Sequence, residues 1–580
     1  RRGRPLNRNF VLHITSWHSL KKNMIENLPK EITYKNLHSF DFGDIEANND
    51  ELLFQSVCKT TSIIDFLTGK KNIVLGEKGT GKTALFRLLK EEKLKFQNHH
   101  GYKNLIIPID DNFQYKNLKG KILKLVQTES DEDVFKYQIV WELFLFFKIT
   151  QKLETLNITL PNTIKNAIKL TNSTFGKNGL DSFLRTKKTF GIKLYDTPTS
   201  ILPDLYYTSE PVVQEENIKE NSADQLEIDL DFYKKEINNF LIENNLNIVI
   251  LIDRLDEFVS RSSIETQKEL LEALIVVERE YGNYSNIELK LFLRDDLFHQ
   301  LSFDGIGYDK VIAKKTDLKW TPENIREFIA KRLIYNIKHI FKLEQIKVSI
   351  AQENLEIDTS IDTDNYIKPA IHIRLYRKAM KKLNKAHYEQ KFPRKVNLDD
   401  NLNKEIILSF FPKYVSFKNE NGKIEKVEIF DYLSNNFNLG TGNSIPRLVL
   451  IFLDKIFNRI SEYYLKNRDE MPIKISESNC FELVKEGFFI QAFEDFKKDI
   501  YINFSKLNPE FEKEILLFKE KIGKRYVFKA KELKNFLSIK EDFELIHFCN
   551  YMMHIGIFKR VNSSTSPENM KFELPIMFRN

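Results

Sequence analysis

The sequence predicts an α/β fold, a parallel sheet covered by helices on both faces, followed by a run of helices and a closing helix–helix–hairpin module. Three observations carry that prediction. Short apolar segments at Asn72–Leu75, Asn104–Ile109, Asn247–Ile252 and Glu288–Leu293 alternate with helically patterned stretches, the order that builds parallel sheets. The third is uninterrupted from Ile248 to Ile252, as a strand buried on both faces requires. The first opens into a glycine turn, after which Leu85, Leu88 and Leu89 fall at helical spacing.

With 580 residues the chain is too long for one core, and three or four domains are expected. Its apolar fraction of 42% and charged fraction of 29% are those of an ordinary globular protein. No segment reaches the roughly 18 uninterrupted apolar residues of a membrane span. The nearest, Tyr137–Phe147, holds Glu142 at its centre and reads as a buried helix. No membrane partner and no secretory signal are expected. Because the chain begins with Arg rather than Met, residues upstream are expected to have been removed or left out of the numbering. Cys58, Cys480 and Cys549 are far apart and form no metal-ligand pattern, which suits buried thiols in a reducing cytoplasm. The net charge of +7 permits a nucleic-acid partner without requiring one.

Composition and patterning divide the chain into four parts. Residues 1–40 are a basic lead. Residues 41–318 form the sheet core, with helical patterning from Phe42-Gly43 to Leu67 and a helix-rich insertion at about 115–235, less patterned near Thr189–Asn221. Residues 319–488 are expected to be helical, a pattern that continues to about residue 500, and residues 489–580 form the closing module.

The turn Gly76-Glu77-Lys78-Gly79-Thr80-Gly81-Lys82-Thr83 matches G-x-x-x-x-G-K-[ST]. Its glycines let backbone amides face phosphate oxygens, and the helix opening at Ala84 adds its positive end. In that setting Lys82 reaches the β- and γ-phosphates and the Thr83 hydroxyl ligates magnesium. A flexible Gly-Lys surface loop would not need the apolar strand before it and the helix after it. Residues 76–84 are therefore the expected binding residues for ATP with Mg2+.

The buried strand ends in Asp253-Arg254-Leu255-Asp256-Glu257. A carboxylate at the carboxyl edge of a parallel sheet stands where such sheets place ligands, so Asp253 is the second expected metal ligand. Asp256, or Glu257 in reserve, is the expected base that orients water, because Arg254 rather than an acid follows Asp253. Arg294 closes the strand beginning at Glu288 and is the candidate γ-phosphate sensor, against the alternative of a surface pair with a neighbouring Asp. Arg447 follows Pro446, a residue suited to the first helical turn, and either couples nucleotide state to domain closure or is a solvated helix residue.

GEKGTGKT, IVILIDRLDEF and LKLFLRDDLF, in that order, together with the Gly-x-x-x-Pro-Arg turn, resemble the bacterial STAND-type and AAA+-like P-loop ATPases over roughly residues 40–470. The lead-in from Phe42 to Phe54 and the Trp141 segment are similar to that group as well. The resemblance implies a P-loop NTPase sheet whose P-loop strand is flanked by the acidic and sensor strands, a helical lid domain, and nucleotide-driven homo-oligomer assembly. Many members of the group act in prokaryotic antiviral defence with a nuclease or other effector protein. The insertion here is unusually long, and no C-terminal sensing repeats are recognisable.

Near the C-terminus, helices at Lys529–Leu537 and Phe543–Ile555 precede strands at Ile557–Val561 and Lys571–Met577, an order resembling a winged helix. That module binds DNA in some proteins and only packs or binds protein in others. The helically spaced Arg374, Arg377, Lys378, Lys381, Lys382 and Lys385 form a basic stripe fit for a phosphate backbone or for solvent. Arg2-Gly3-Arg4-Pro5 is similar to an AT-hook core, or is a basic tail. The expectation is thus a cytoplasmic magnesium-dependent ATPase that drives assembly or remodelling. The alternative is a nucleotide-locked DNA-binding scaffold with little turnover. A P-loop kinase fits poorly, since it needs neither the acidic strand end nor the arginine strand.

Overall fold

The structure, a computed structural model, describes residues 31–97, 101–110, 133–175, 188–193, 204–209, 226–228, 230–255, 264–303, 307–340, 400–418, 423–474, 483–507, 511–523, 525–537, 539, 541–564, 566 and 569–579. The chain divides into two compact units. One holds Thr61–Lys78 and Lys82–Leu318; the other holds the residues up to Thr60, Gly79–Gly81, and Lys319 onward.

The first unit is built on five parallel strands: β1 (Ile73–Gly76), β2 (Lys103–Ile109), β3 (Leu246–Ile252), β4 (Ile287–Arg294) and β5 (Lys315–Asp317). Their order is β2–β3–β4–β1–β5. Every residue of β1 and of β3 is buried, which is why β1, and β3 from Ile248 onward, read as apolar runs. The sensor strand β4 lies between the acidic strand β3 and the P-loop strand β1, so the expectation that acidic and sensor strands flank the P-loop strand is corrected. The outer neighbour of β1 is β5, three residues with no apolar member and therefore without a sequence signal.

Helix α1 (Lys82–Lys90) follows the glycine turn. In and after the insertion, α2 (Asp133–Glu154) packs on α5 (Ile264–Tyr281), α3 (Asn162–Phe175) on α2, and α4 (Leu230–Glu243) on α3. The Tyr137–Phe147 segment lies in α2 and is buried as expected. Trp141 is fully enclosed and donates its indole N–H to the Leu270 carbonyl at 3.0 Å. The less patterned stretch holds three antiparallel strands, Lys188–Lys193, Asp204–Ser209 and Leu226–Ile228.

The second unit gathers α6 (Pro322–Ile340), an antiparallel hairpin β6 (Tyr414–Lys418) and β7 (Ile424–Glu428), α7 (Pro446–Lys466) and α8 (Glu486–Leu507). The hairpin interrupts what sequence patterning presents as a helical region. Helix α7 buries Val449, Phe452, Leu453, Ile456, Phe457 and Ile460, spaced three or four apart, and Phe452 meets Phe489, Phe493 and Phe496 of α8. Residues 41–60, grouped with the sheet on sequence grounds, instead join α6. Arg332 donates to Asp50 Oδ1 at 2.8 Å, Asp50 Oδ2 at 2.5 Å and the Phe42 carbonyl at 2.9 Å. Asn336 exchanges hydrogen bonds with the Asp41 backbone, and Lys331 donates to the Val57 carbonyl.

The chain closes with α9 (Glu512–Ile522), β8 (Val527–Lys529), α10 (Ala530–Leu537), α11 (Asp542–His554), β9 (Lys559–Arg560) and β10 (Lys571–Glu573). The three strands pair antiparallel in the order β8–β10–β9. This is the winged-helix-like order read from the sequence, with β8 as an added strand. Among the described residues no helix is long and apolar enough to cross a membrane.

Candidate nucleotide site

Because all five strands of the sheet run parallel, their carboxyl ends share one edge. Gly76 ends β1 there, paired in register with Arg294 at the end of β4. Ile252 pairs with Leu291, so Asp253, the next residue after β3, stands at that same edge. Gly79 and Gly81 have φ values of 93° and 100°, a left-handed backbone that glycine adopts without strain. Lys82 begins α1 and turns back over the loop, donating from Nζ to the carbonyls of Gly76 at 2.6 Å and Glu77 at 3.0 Å. Thr83 and Ala84 occupy the first turn of α1, where N–H groups lack intrahelical partners and the helix dipole is positive.

Asp253 is 3% exposed, and its N–H donates to the Ile109 carbonyl at 3.0 Å, which extends the β2–β3 ladder by one step. The chain then turns sharply: Arg254 has φ 60°, a left-handed conformation uncommon outside glycine. Asp256 and Glu257 lie outside the described residues. Arg294 donates from Nε to Asp296 Oδ1 at 2.9 Å and from Nη2 to Asp296 Oδ2, so the pair weighed as its alternative reading is present beside its place at the sheet edge.

Pro446 does occupy the start of α7, and Arg447 follows it. Within the helical unit, Ile445 Cγ2 stands 3.0 Å and Arg447 Cβ 3.1 Å from where a Cβ on Gly79 would lie. Arg447 is largely enclosed, and its Nε is buried without a hydrogen-bond partner. Burial lowers its affinity for a proton, and the charge of Glu46 opposes that shift. A solvated helix residue would show neither property.

One contact to the turn has no counterpart in the sequence reading. The Trp320 indole N–H donates to the Thr80 carbonyl at 2.8 Å, and its ring packs edge-on against Phe328. A single Trp ahead of a helix start has no periodicity to mark it. The basic stripe at 374–385 and the Arg2–Pro5 segment lie outside the described residues.

Among the described residues no group of three or more His, Cys, Asp or Glu side chains could hold a metal by itself.

The winged-helix-like module divides its charge. The outward face of α11 presents Asp542, Phe543, Glu544, His547 and Asn550, with no Lys or Arg among them, and Phe543 is 78% exposed. The strands of the wing carry exposed Lys529, Lys559, Arg560 and Lys571.

No family model matches this chain. A putative transposon gamma-delta 80.3 kDa protein of Escherichia coli (strain K12) is 23% identical over 353 residues, covering 58% of this chain and 45% of that protein. The chain thus spans less than half the length of that relative. Solved structures to which the chain aligns include Cdc6p from Pyrobaculum aerophilum, at TM-score 0.28 and 10% identity over 94% of this chain and 95% of that one. The Aeropyrum pernix ORC2 protein, in ADPNP–ADP complexes, aligns at TM-score 0.31 and 9% identity over 91% and 88%. Drosophila ORC bound to DNA aligns at 0.24 and 10% over 97% and 97%. The fold assignment rests on the strand order and the glycine turn.

Proposed function

We propose that this chain is a magnesium-dependent ATPase whose nucleotide cycle drives assembly or remodelling, acting in prokaryotic antiviral defence with an effector protein. One observation supports the enzymatic reading: the strand that leads into the glycine turn and Lys82, and the strand that ends at the buried Asp253, run parallel in one sheet and so open at the same edge. Phosphoryl transfer asks chiefly for positioning and charge stabilisation, and these groups supply both. Turn amides and Lys82 hold the triphosphate, and Thr83 with Asp253 hold magnesium, which neutralises charge on the phosphate oxygens. Asp256, with Glu257 in reserve, orients water, while Arg294 and Arg447 meet charge developing on the γ-phosphate or report its presence. Homo-oligomer assembly belongs to this reading, since an arginine from a neighbour raises turnover about 10³–10⁵-fold in related chemistry.

The test is phosphate release by wild type and Lys82→Ala, with and without duplex DNA, alongside the size of each nucleotide state. Hydrolysis that Lys82→Ala abolishes supports the proposal. Wild type that binds ATP and releases no phosphate under any of these conditions rejects it.

A second reading, a nucleotide-locked DNA-binding scaffold with little turnover, is favoured by the packing of Ile445 and Arg447 on Gly79, which suits a state held closed. It requires the double change Asp256→Ala with Glu257→Ala to leave biological activity intact. DNA would be held on the wing, the cationic part of the described module.

A further inference from the structure

Thr80 and Gly81 share one peptide group, and its two polar ends face opposite ways. The bond is trans, so the Thr80 carbonyl and the Gly81 N–H point in opposite directions within one plane. Gly81 does not fix which end faces which side. Its φ is 100°, and turning the plane over would bring it to about −80°, a value glycine adopts equally well. An outside contact must choose.

Trp320 supplies that contact, since its indole N–H donates to the Thr80 carbonyl at 2.8 Å. Thr80 is 1% exposed, which shields the bond from competing water. The indole is placed by chemistry local to the start of α6. The Thr321 carbonyl accepts from the Ile325 N–H at 3.1 Å, and its hydroxyl accepts from the Asn324 N–H at 3.3 Å. In return the Thr321 N–H donates to Asn324 Oδ1 at 3.3 Å. This reciprocal cap fixes the direction in which the chain enters the helix, and Trp320 is the residue just before it. Its ring then stands edge-on to Phe328 of α6, with centroids 5.7 Å apart.

A peptide bonded at both ends is polarised by both bonds. An anion on the Gly81 N–H makes the Thr80 carbonyl a stronger acceptor, and the indole on that carbonyl makes the N–H a stronger donor.

We propose that Trp320 is a positioning residue of the glycine turn: its indole N–H holds the Thr80–Gly81 peptide so that the Gly81 N–H is turned toward the phosphate groups of a bound nucleoside di- or triphosphate. This rests on the nucleotide-binding reading of the turn.

The sequence holds three tryptophans, Trp17, Trp141 and Trp320, so selective 15N labelling of the full chain gives three indole N–H signals, and Trp320→Phe identifies one of them. Inorganic pyrophosphate is expected to move the Trp320 signal downfield, as its hydrogen bond strengthens, and to leave that of Trp141, which donates to the Leu270 carbonyl, in place. By calorimetry, Trp320→Phe is expected to bind ATP, ADP and pyrophosphate about ten-fold more weakly, the loss of one hydrogen bond to a charged group. Its KM for ATP rises and its kcat at saturation is kept, a split that general loosening of the fold would not give. Phe328→Leu keeps the donor and frees the ring, and it decides the matter if Trp320→Phe does not fold: it is expected to weaken the same three ligands by a smaller factor. A Trp320 signal that stays still while pyrophosphate binds overturns the proposal, and so does a folded variant of either kind with wild-type affinities. Wild type that binds none of the three ligands overturns the nucleotide reading together with it.

Discussion

Gly76 and Arg294 are cross-strand partners: the residue that opens the glycine turn sits in register with the arginine that ends the adjacent strand. That register sets the Arg294 backbone at the edge where the turn begins, and Asp296 accepts two hydrogen bonds from its guanidinium. A group placed there to meet developing charge contributes to turnover far more than to ground-state binding. Arg294→Ala is therefore expected to lower kcat about 100-fold with little change in the affinity for ATP. Steady-state kinetics beside equilibrium nucleotide binding checks it. An equal loss in both would make Arg294 a binding residue, and no loss in either would leave it a partner of Asp296 alone.

Much of this site is legible in the sequence because it depends on chain-local signals. The run Ile248–Ile252 followed by Asp253, and a glycine turn between an apolar strand and a helix, state their geometry without tertiary information. What is not legible depends on distant partners. The strand order places β4 between β3 and β1, a result of crossover topology that no residue of those strands announces. Trp320 meets Thr80 across 240 positions, and Gly440 looks like any turn glycine until Phe558 is seen against it. Short strands such as Lys315–Asp317 and Val527–Lys529 lack the length for a period-two pattern to show.

A buried cluster between α2, α4 and α5 is expected to make the stability of the sheet unit depend on pH. Glu142 and Lys234 form an ion pair there, bordered by Glu280, Tyr281, Tyr284 and Asp231. Burial, with the nearby charge of Glu142, pushes the Glu280 carboxyl up to about 8 from an ordinary 4.5. A group whose folded-state value is raised binds its proton more tightly when folded. The stability it contributes is present below pH 4.5 and is lost as pH rises toward 8. Asp231 runs the other way, its carboxyl held below the usual range by the Tyr284 hydroxyl and Lys235 despite the opposing effect of burial, so its contribution is steady across that window. Glu280→Gln is thus expected to raise the unfolding midpoint at pH 8 and to flatten its decline between pH 5 and 8. Denaturant titrations of both proteins at several pH values check this; parallel profiles would show that Glu280 is ionised throughout.

The clasp between α6 and residues 41–60 predicts a large loss of stability from small changes. Arg332 and Asp50 are almost wholly enclosed, with side-chain exposures of 1% and 4%. Removing one partner strands a buried charge, so Asp50→Ala is expected to destabilise the helical unit by about 3–5 kcal/mol. Gly43→Ala acts on the same clasp by another route. A Cβ there would lie 2.2 Å from both Arg332 Nη1 and Asp50 Oδ1, at a φ of 85° that alanine adopts only with strain. Both variants should lower the denaturant midpoint, and the double variant should lose less than the sum, since the two residues share Arg332. Additive losses would mean that Gly43 and Asp50 act independently.

DNA binding by the winged-helix-like module, if it is to occur, must use the wing. Lys529 and Lys571 are direct cross-strand partners on one face of β8 and β10, and like charges so placed destabilise a sheet unless an anion lies over them. Lys559 and Arg560 of β9 extend that positive edge. Helix α11 offers the opposite: it carries no Lys or Arg, Asp542 is taken up by its ion pair with Lys534, Glu544 on its outward face would repel phosphate, and the exposed ring of Phe543 carries no charge. The expected outcome is that Lys529→Glu and Lys571→Glu each weaken duplex binding regardless of sequence, while Lys529→Ala and Lys571→Ala each lower the slope of log affinity against log salt by about 0.9. Phe543→Ser should leave both quantities unchanged. Fluorescence anisotropy at several salt concentrations measures all of these. An effect of Phe543→Ser larger than that of either lysine change would move the contact to α11, and the charge argument would fail with it.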